Sequence, residues 1–70
     1  MEAASPWRAE DGRWIRASGP YVVAQATDRG YYVIRVKGRQ GGMTGSASSV
    51  ESARARVDRI LLEDGWALEF

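Results

Sequence analysis

The segments YVVAQAT (Tyr21–Thr27), DRG (Asp28–Gly30) and YYVIRVK (Tyr31–Lys37) decide the fold. The first and last are dense in β-branched and aromatic residues, the side chains that suit a pleated, half-buried surface. The three residues between them end in glycine, which fits a type I turn closed by a left-handed residue. The stretch therefore predicts a β-hairpin. Successive strand side chains point to opposite faces. Tyr32, Ile34 and Val36 are expected to face the core together with Val22, Ala24 and Ala26. Tyr21, Val23, Gln25, Tyr31, Val33, Arg35 and Lys37 are expected on the opposite face.

Upstream, Arg13 to Ala17 is a moderate strand, closed by the Ser18-Gly19-Pro20 turn signal. Met1 to Gly12 is polar apart from Trp7 and Pro6, and is expected to be a flexible arm, with Trp7 able to tuck onto the body. Downstream, Gly38 to Ser46 is glycine-rich and predicts a long loop, or a loop leading into a short strand around Gly42 to Ser46. Ser48 followed three residues later by Glu51 has the spacing of a capping box. Val50, Ala53, Val57, Ile60 and Leu61 recur with the helical period, so a helix is expected from about Ser49 to Asp64, stopped at Gly65. Arg54 with Asp58, and Arg59 with Glu63, stand four apart as intrahelical ion pairs. Trp66, Leu68 and Phe70 alternate as a closing strand.

The expected class is α+β. A small antiparallel sheet of three to five strands packs against one helix, in the order β-β-β-(β)-α-β. The expected organisation is an arm over residues 1–12 and a single domain over residues 13–70.

Seventy residues hold one domain, and a chain this short buries only about 60% of its unfolded surface. There is no cysteine, so disulfides and thiolate metal sites are excluded. There is no histidine either, which leaves zinc only an all-carboxylate site. Three tryptophans, three tyrosines and one phenylalanine must supply much of the buried area. A formal charge of +1 argues against an acidic mimic of nucleic acid, and against binding through phosphate contacts alone. Met1 to Pro6 lacks the basic start and apolar run of a signal peptide, and no apolar stretch is long enough to span a membrane. A cytoplasmic location, with no membrane partner, is expected.

Without histidine or cysteine the commonest general bases and thiol nucleophiles are missing. The carboxylates fall mostly in turns or on the solvent side of the helix. Ser46, Ser48, Ser49 and Ser52 gather at the helix start, where capping accounts for them. No enzyme, no catalytic residue, no cofactor and no metal are expected. Gly38-Arg39-Gln40-Gly41 has the letters of a GxxG loop but follows a strand, and a turn at a hairpin end accounts for it.

The basic and aromatic hairpin face carries the functional signal. Arg35 and Lys37 share it with Tyr21 and Tyr31, Arg29 and Arg39 stand at its two tips, and Arg16 joins from the first strand. Arg56 is the freest of the three helix arginines. These eight residues are the expected partner-binding set, because tyrosines beside arginines anchor protein interfaces or stack bases.

Two resemblances follow from these residues. Gly30, Tyr31, Tyr32, Val33, Thr44, Gly45, Glu51 and Ala53 resemble the core of HicB-type antitoxins, though Lys37 to Gly42 departs from that pattern. Such a resemblance implies a small toxin as partner. The layout as a whole is similar to small phage and prophage proteins, including anti-CRISPR proteins: an N-terminal tryptophan, a tyrosine-rich hairpin, a glycine-containing segment and a Ser-x-x-Glu helix start. That resemblance implies a non-catalytic inhibitor that occupies the surface of a Cas complex. This inhibitor is the leading expectation. The alternatives are an antitoxin and a small nucleic-acid-binding module. Pairing of two copies into a homodimer is compatible with each.

Overall fold

A computed structural model describes residues 3–35 and 42–70. Among these residues, seven strands and one helix follow in order: β1 (Ala3–Ala4), β2 (Arg8–Glu10), β3 (Arg13–Ser18), β4 (Tyr21–Thr27), β5 (Tyr31–Ile34), β6 (Met43–Ser46), α1 (Val50–Glu63) and β7 (Ala67–Leu68). Strands β2 to β6 form a five-stranded antiparallel meander, with each strand beside its chain neighbour. Helix α1 packs against β4, β5 and β7. The class is α+β, as the sequence predicts.

The β4–β5 hairpin closes through Gly30, whose φ of 86° and N–H bond to the Thr27 carbonyl match the expected turn. A side chain at Gly30 would also strike the carbonyl of Ala47. Gly19, at φ 58°, opens the two-residue turn between Ser18 and Tyr21. A short strand after the glycine-rich segment is present as β6. The Gly38–Gly41 motif, Val36, Lys37 and Arg39 lie outside the described residues.

One irregularity reorganises the hairpin faces. Arg16 pairs with Ala24 and Ala17 with Val22, so Val23 is an extra residue on β4, a β-bulge. The alternation shifts there by one. Val23 is buried in the core cluster with Ala24, Ile34, Val57 and Leu61. Val22 is only partly buried. The expected assignment of Val22 inward and Val23 outward is thus reversed, because a bulge changes the parity of every residue before it. Val22 turns to the outer face, and Tyr21, paired with Ser18, moves off it.

The helix cap lies one residue later than predicted. Ser49, not Ser48, accepts the N–H of Ser52 at 3.1 Å. Ala53, Val57 and Leu61 form its buried stripe, with Val50 and Ile60 at the margins. It ends in a Schellman arrangement: Trp66 N–H bonds Leu61, Gly65 N–H bonds Leu62, and Gly65 has φ 89°. Among the described residues no helix is long and apolar enough to cross a membrane.

The two ends depart most from expectation. Within the arm predicted over residues 1–12, residues 3–4 and 8–10 are instead strands of the fold. Residues 3–4 pair in parallel with 67–68, and residues 8–10 pair with 13–15. The closing strand leaves the main sheet to make that parallel pair, and the ring of Phe70, itself 94% exposed, lies 5.3 Å from the Arg16 guanidinium carbon.

Arg16, expected to be a partner contact, holds this arrangement. It is 1% exposed. Its Nε and Nη2 donate to the two carboxylate oxygens of Asp58 at 2.9 and 3.3 Å. Its Nη1 donates to the carbonyls of Ser5 at 2.7 Å and Glu69 at 2.9 Å. The Trp7 indole N–H donates to the same Asp58 at 2.9 Å, and the Trp7 ring lies 5.1 Å from the guanidinium carbon. A buried guanidinium is tolerated when its donors are satisfied. Here it joins β3, α1 and both ends of the chain.

Removing one partner of such a pair costs about 3–5 kcal/mol, against about 4–10 kcal/mol for the whole fold of a chain this size. Arg16→Leu should therefore lower the urea midpoint sharply or leave the chain unfolded at room temperature. Arg16→Leu/Asp58→Leu should recover part of the loss, because no charge is then stranded. Equal midpoints for wild type and Arg16→Leu would show that the node contributes nothing.

Candidate functional site

The outer face of the sheet is the one turned away from the helix. Ladder registers place its side chains in cross-strand rows. One row runs Arg8, Ile15, Gln25, Val33, Thr44. A second joins Glu10, Arg13 and Thr27, and Tyr31 faces Ser46 beside it. Arg13 donates to Gln25 at 2.8 Å, and Arg8 pairs with Glu10 at 3.2 Å. These side chains close over Ile15, which is 5% exposed although it stands outside the helix-side core.

The cover does not extend to β5. Tyr31 is 58% and Val33 46% exposed. Beside them lies a hollow of about 160 Å³ lined by Val22, Val23, Ala24, Gln25, Val33 and Arg35. Exposed apolar side chains next to a hollow and an arginine are the elements of an interface anchor.

The eight expected partner-binding residues do not form one cluster. Tyr31 and Arg35 stand on the same side of β5, and Arg29 is exposed in the turn just before it. Arg56 is exposed and donates to the Ser46 carbonyl at 2.9 Å, opposite Tyr31 across the β5–β6 ladder. Tyr21, 64% exposed, sits at the far end of β4, roughly 20 Å from the Tyr31 end at about 3.3 Å per residue, and on the other face. Arg16 is buried in the node and unavailable to a partner. Lys37 and Arg39 lie outside the described residues.

Sequence reasoning missed a second cluster on the helix side. The Arg54 guanidinium carbon lies 4.1 Å from the Trp14 ring centroid and 5.6 Å from that of Trp7. The predicted Arg54–Asp58 pair is absent, because Asp58 is engaged by Arg16 and Trp7. The signal was present in part: Trp14 alternates with Arg13 and Ile15, so it had to share a face with Arg16.

The bulge makes a discriminating prediction. Val23→Ser should destabilise by about 2 kcal/mol or more, since it buries a hydroxyl and opens a cavity. Val22→Ser and Tyr31→Ser should each cost less than about 1 kcal/mol in urea titrations. The reverse order for the two valines would contradict the assigned parity. No protein-family model, no curated protein and no solved structure matches the chain.

Proposed function

We propose that the protein is a non-catalytic binding protein that acts by covering a surface of a protein partner with the outer face of its sheet. The observation that carries this reading is the Tyr31–Val33–Arg35 ridge, exposed on a strand whose neighbours toward β3 are covered by their own side chains. Tyrosine gives large contact area at low entropic cost, and arginine adds directional donors at its rim. Arg29 and Arg35 favour a partner surface carrying acidic groups.

The sharpest form of the reading is an inhibitor of mobile-element type, anti-CRISPR-like, that occupies the surface of a Cas effector complex. It needs no reaction and no cofactor, only affinity. A HicB-like antitoxin acting on a small toxin would use the same kind of face, and the partner separates the two readings.

The test is reconstitution with the Cas effector complex of the source lineage, and separately with small toxins encoded beside the gene. Co-elution with the effector and loss of target-DNA binding are expected for the wild type. Tyr31→Ala/Arg35→Glu should keep the fold and lose at least about tenfold in affinity. Co-elution with a toxin alone would move the assignment to an antitoxin. Binding only to nucleic acid, reversed steeply by salt, would overturn the protein-partner reading.

A further inference from the structure

Arg54 carries an unusual set of contacts. Two indoles flank its guanidinium, at 4.1 and 5.6 Å from ring centroid to carbon. Its Nε is buried without a hydrogen-bond partner. Among the described residues no acceptor and no ion pair is found for its other nitrogens either. Its helical neighbour four residues on, Asp58, has both carboxylate oxygens committed to Arg16, and one also to Trp7. Glu51, one turn before Arg54, is exposed.

An open groove of about 320 Å³ lies beside this stack, lined by Trp7, Glu51, Arg54, Ala55 and Asp58. Ala55 leaves room on the helix side, and the Trp7 indole forms an apolar wall. A guanidinium stacked on an indole bonds through its edge, and with Nε buried the edge left to a two-oxygen acceptor from the groove is that of the two Nη atoms. An unmet guanidinium donor in partly desolvated surroundings gains more from such an acceptor than one in open water.

We propose that this groove receives a carboxylate, the side chain of an aspartate or glutamate on a protein partner, which bonds the edge of Arg54 while its aliphatic part lies against Trp7. Glu51 sets the preference within anions. Its charge on the groove wall opposes a dianionic phosphoryl group more than a single carboxylate. The site lies on the helix side of the sheet, away from Tyr31 and Val33, and does not depend on that ridge being an interface.

The experiment follows the three indole N–H resonances of the ¹⁵N-labelled full chain during titration with acetyl-Gly-Glu-Gly-amide, and with the Gln analogue as the neutral control. The Glu peptide should shift Trp7 and Trp14 saturably, leave Trp66 in place and bind in the millimolar range. The Gln peptide should do neither. Arg54→Lys keeps the charge but loses the planar fork, and should weaken binding by about tenfold or more. Glu51→Gln, at an exposed position, should tighten it about threefold. The site is overturned if the Glu peptide moves neither indole up to about 100 mM, well past a millimolar constant. Equal shifts from the Gln peptide, equal affinity in Arg54→Lys, or no gain in Glu51→Gln would also overturn it. So would tighter binding of inorganic phosphate at matched ionic strength.

Discussion

The rest of the structure depends on one buried charge. Arg16 enters from the middle strand of the β2–β4 ladder and finds Asp58 on the helix. An unpaired guanidinium at that depth would be prohibitive, so its donors must be met wherever the chain can meet them. Two are met by backbone carbonyls, of Ser5 from one end of the chain and Glu69 from the other. The β1–β7 pair then follows, with Ser5 N–H bonded to Ala17 and Glu69 N–H bonded to Ala4. A chain with no cysteine for a disulfide uses a polar node to fasten both its ends.

The same node fixes the surroundings of the second cluster. Asp58 accepts from Trp7 and Arg16 together, which draws the N-terminal segment across the helix. Arg54 loses its intrahelical partner as a result and stacks on Trp14. A stabilising contact in the core thus leaves Arg54, half-buried, with an Nε that has no hydrogen-bond partner. On the other side of the sheet, the Arg13–Gln25 and Arg8–Glu10 contacts cover β3 while β5 stays open. The two exposed features therefore lie on opposite sides of one sheet, and each is a consequence of how neighbouring polar groups are satisfied.

Much of the fold was legible. The hairpin rested on β-branched runs around a turn ending in glycine, and the helix on a stripe of Ala53, Val57 and Leu61 closed by Gly65. These are local signals, and local structure obeyed them. What failed was non-local. The bulge at Val23 leaves no mark in YVVAQAT, since two adjacent valines serve either parity equally well. Arg16 looked like a surface cation because nothing nearby in sequence pairs with it; Asp58 is 42 residues away. The N-terminal segment looked loose because its partners, Ala67 and Leu68, lie at the other end of the chain. Of the candidate site, Tyr31 and Arg35 were found where alternation puts them, and Arg29 in the turn at the hairpin tip. Tyr21 was lost to the bulge and Arg16 to the core.

The central claim is that Arg16 fastens both ends of the chain into the folded body. Native-state amide hydrogen exchange at Ser5 and Glu69 tests it most directly, since these N–H groups bond across the node to Ala17 and Ala4. The account predicts protection close to that of the helix amide of Ala53, so that the ends open only when the whole fold opens. Exchange at Ser5 and Glu69 at the rate of an unstructured chain, while Ala53 stays protected, would contradict it.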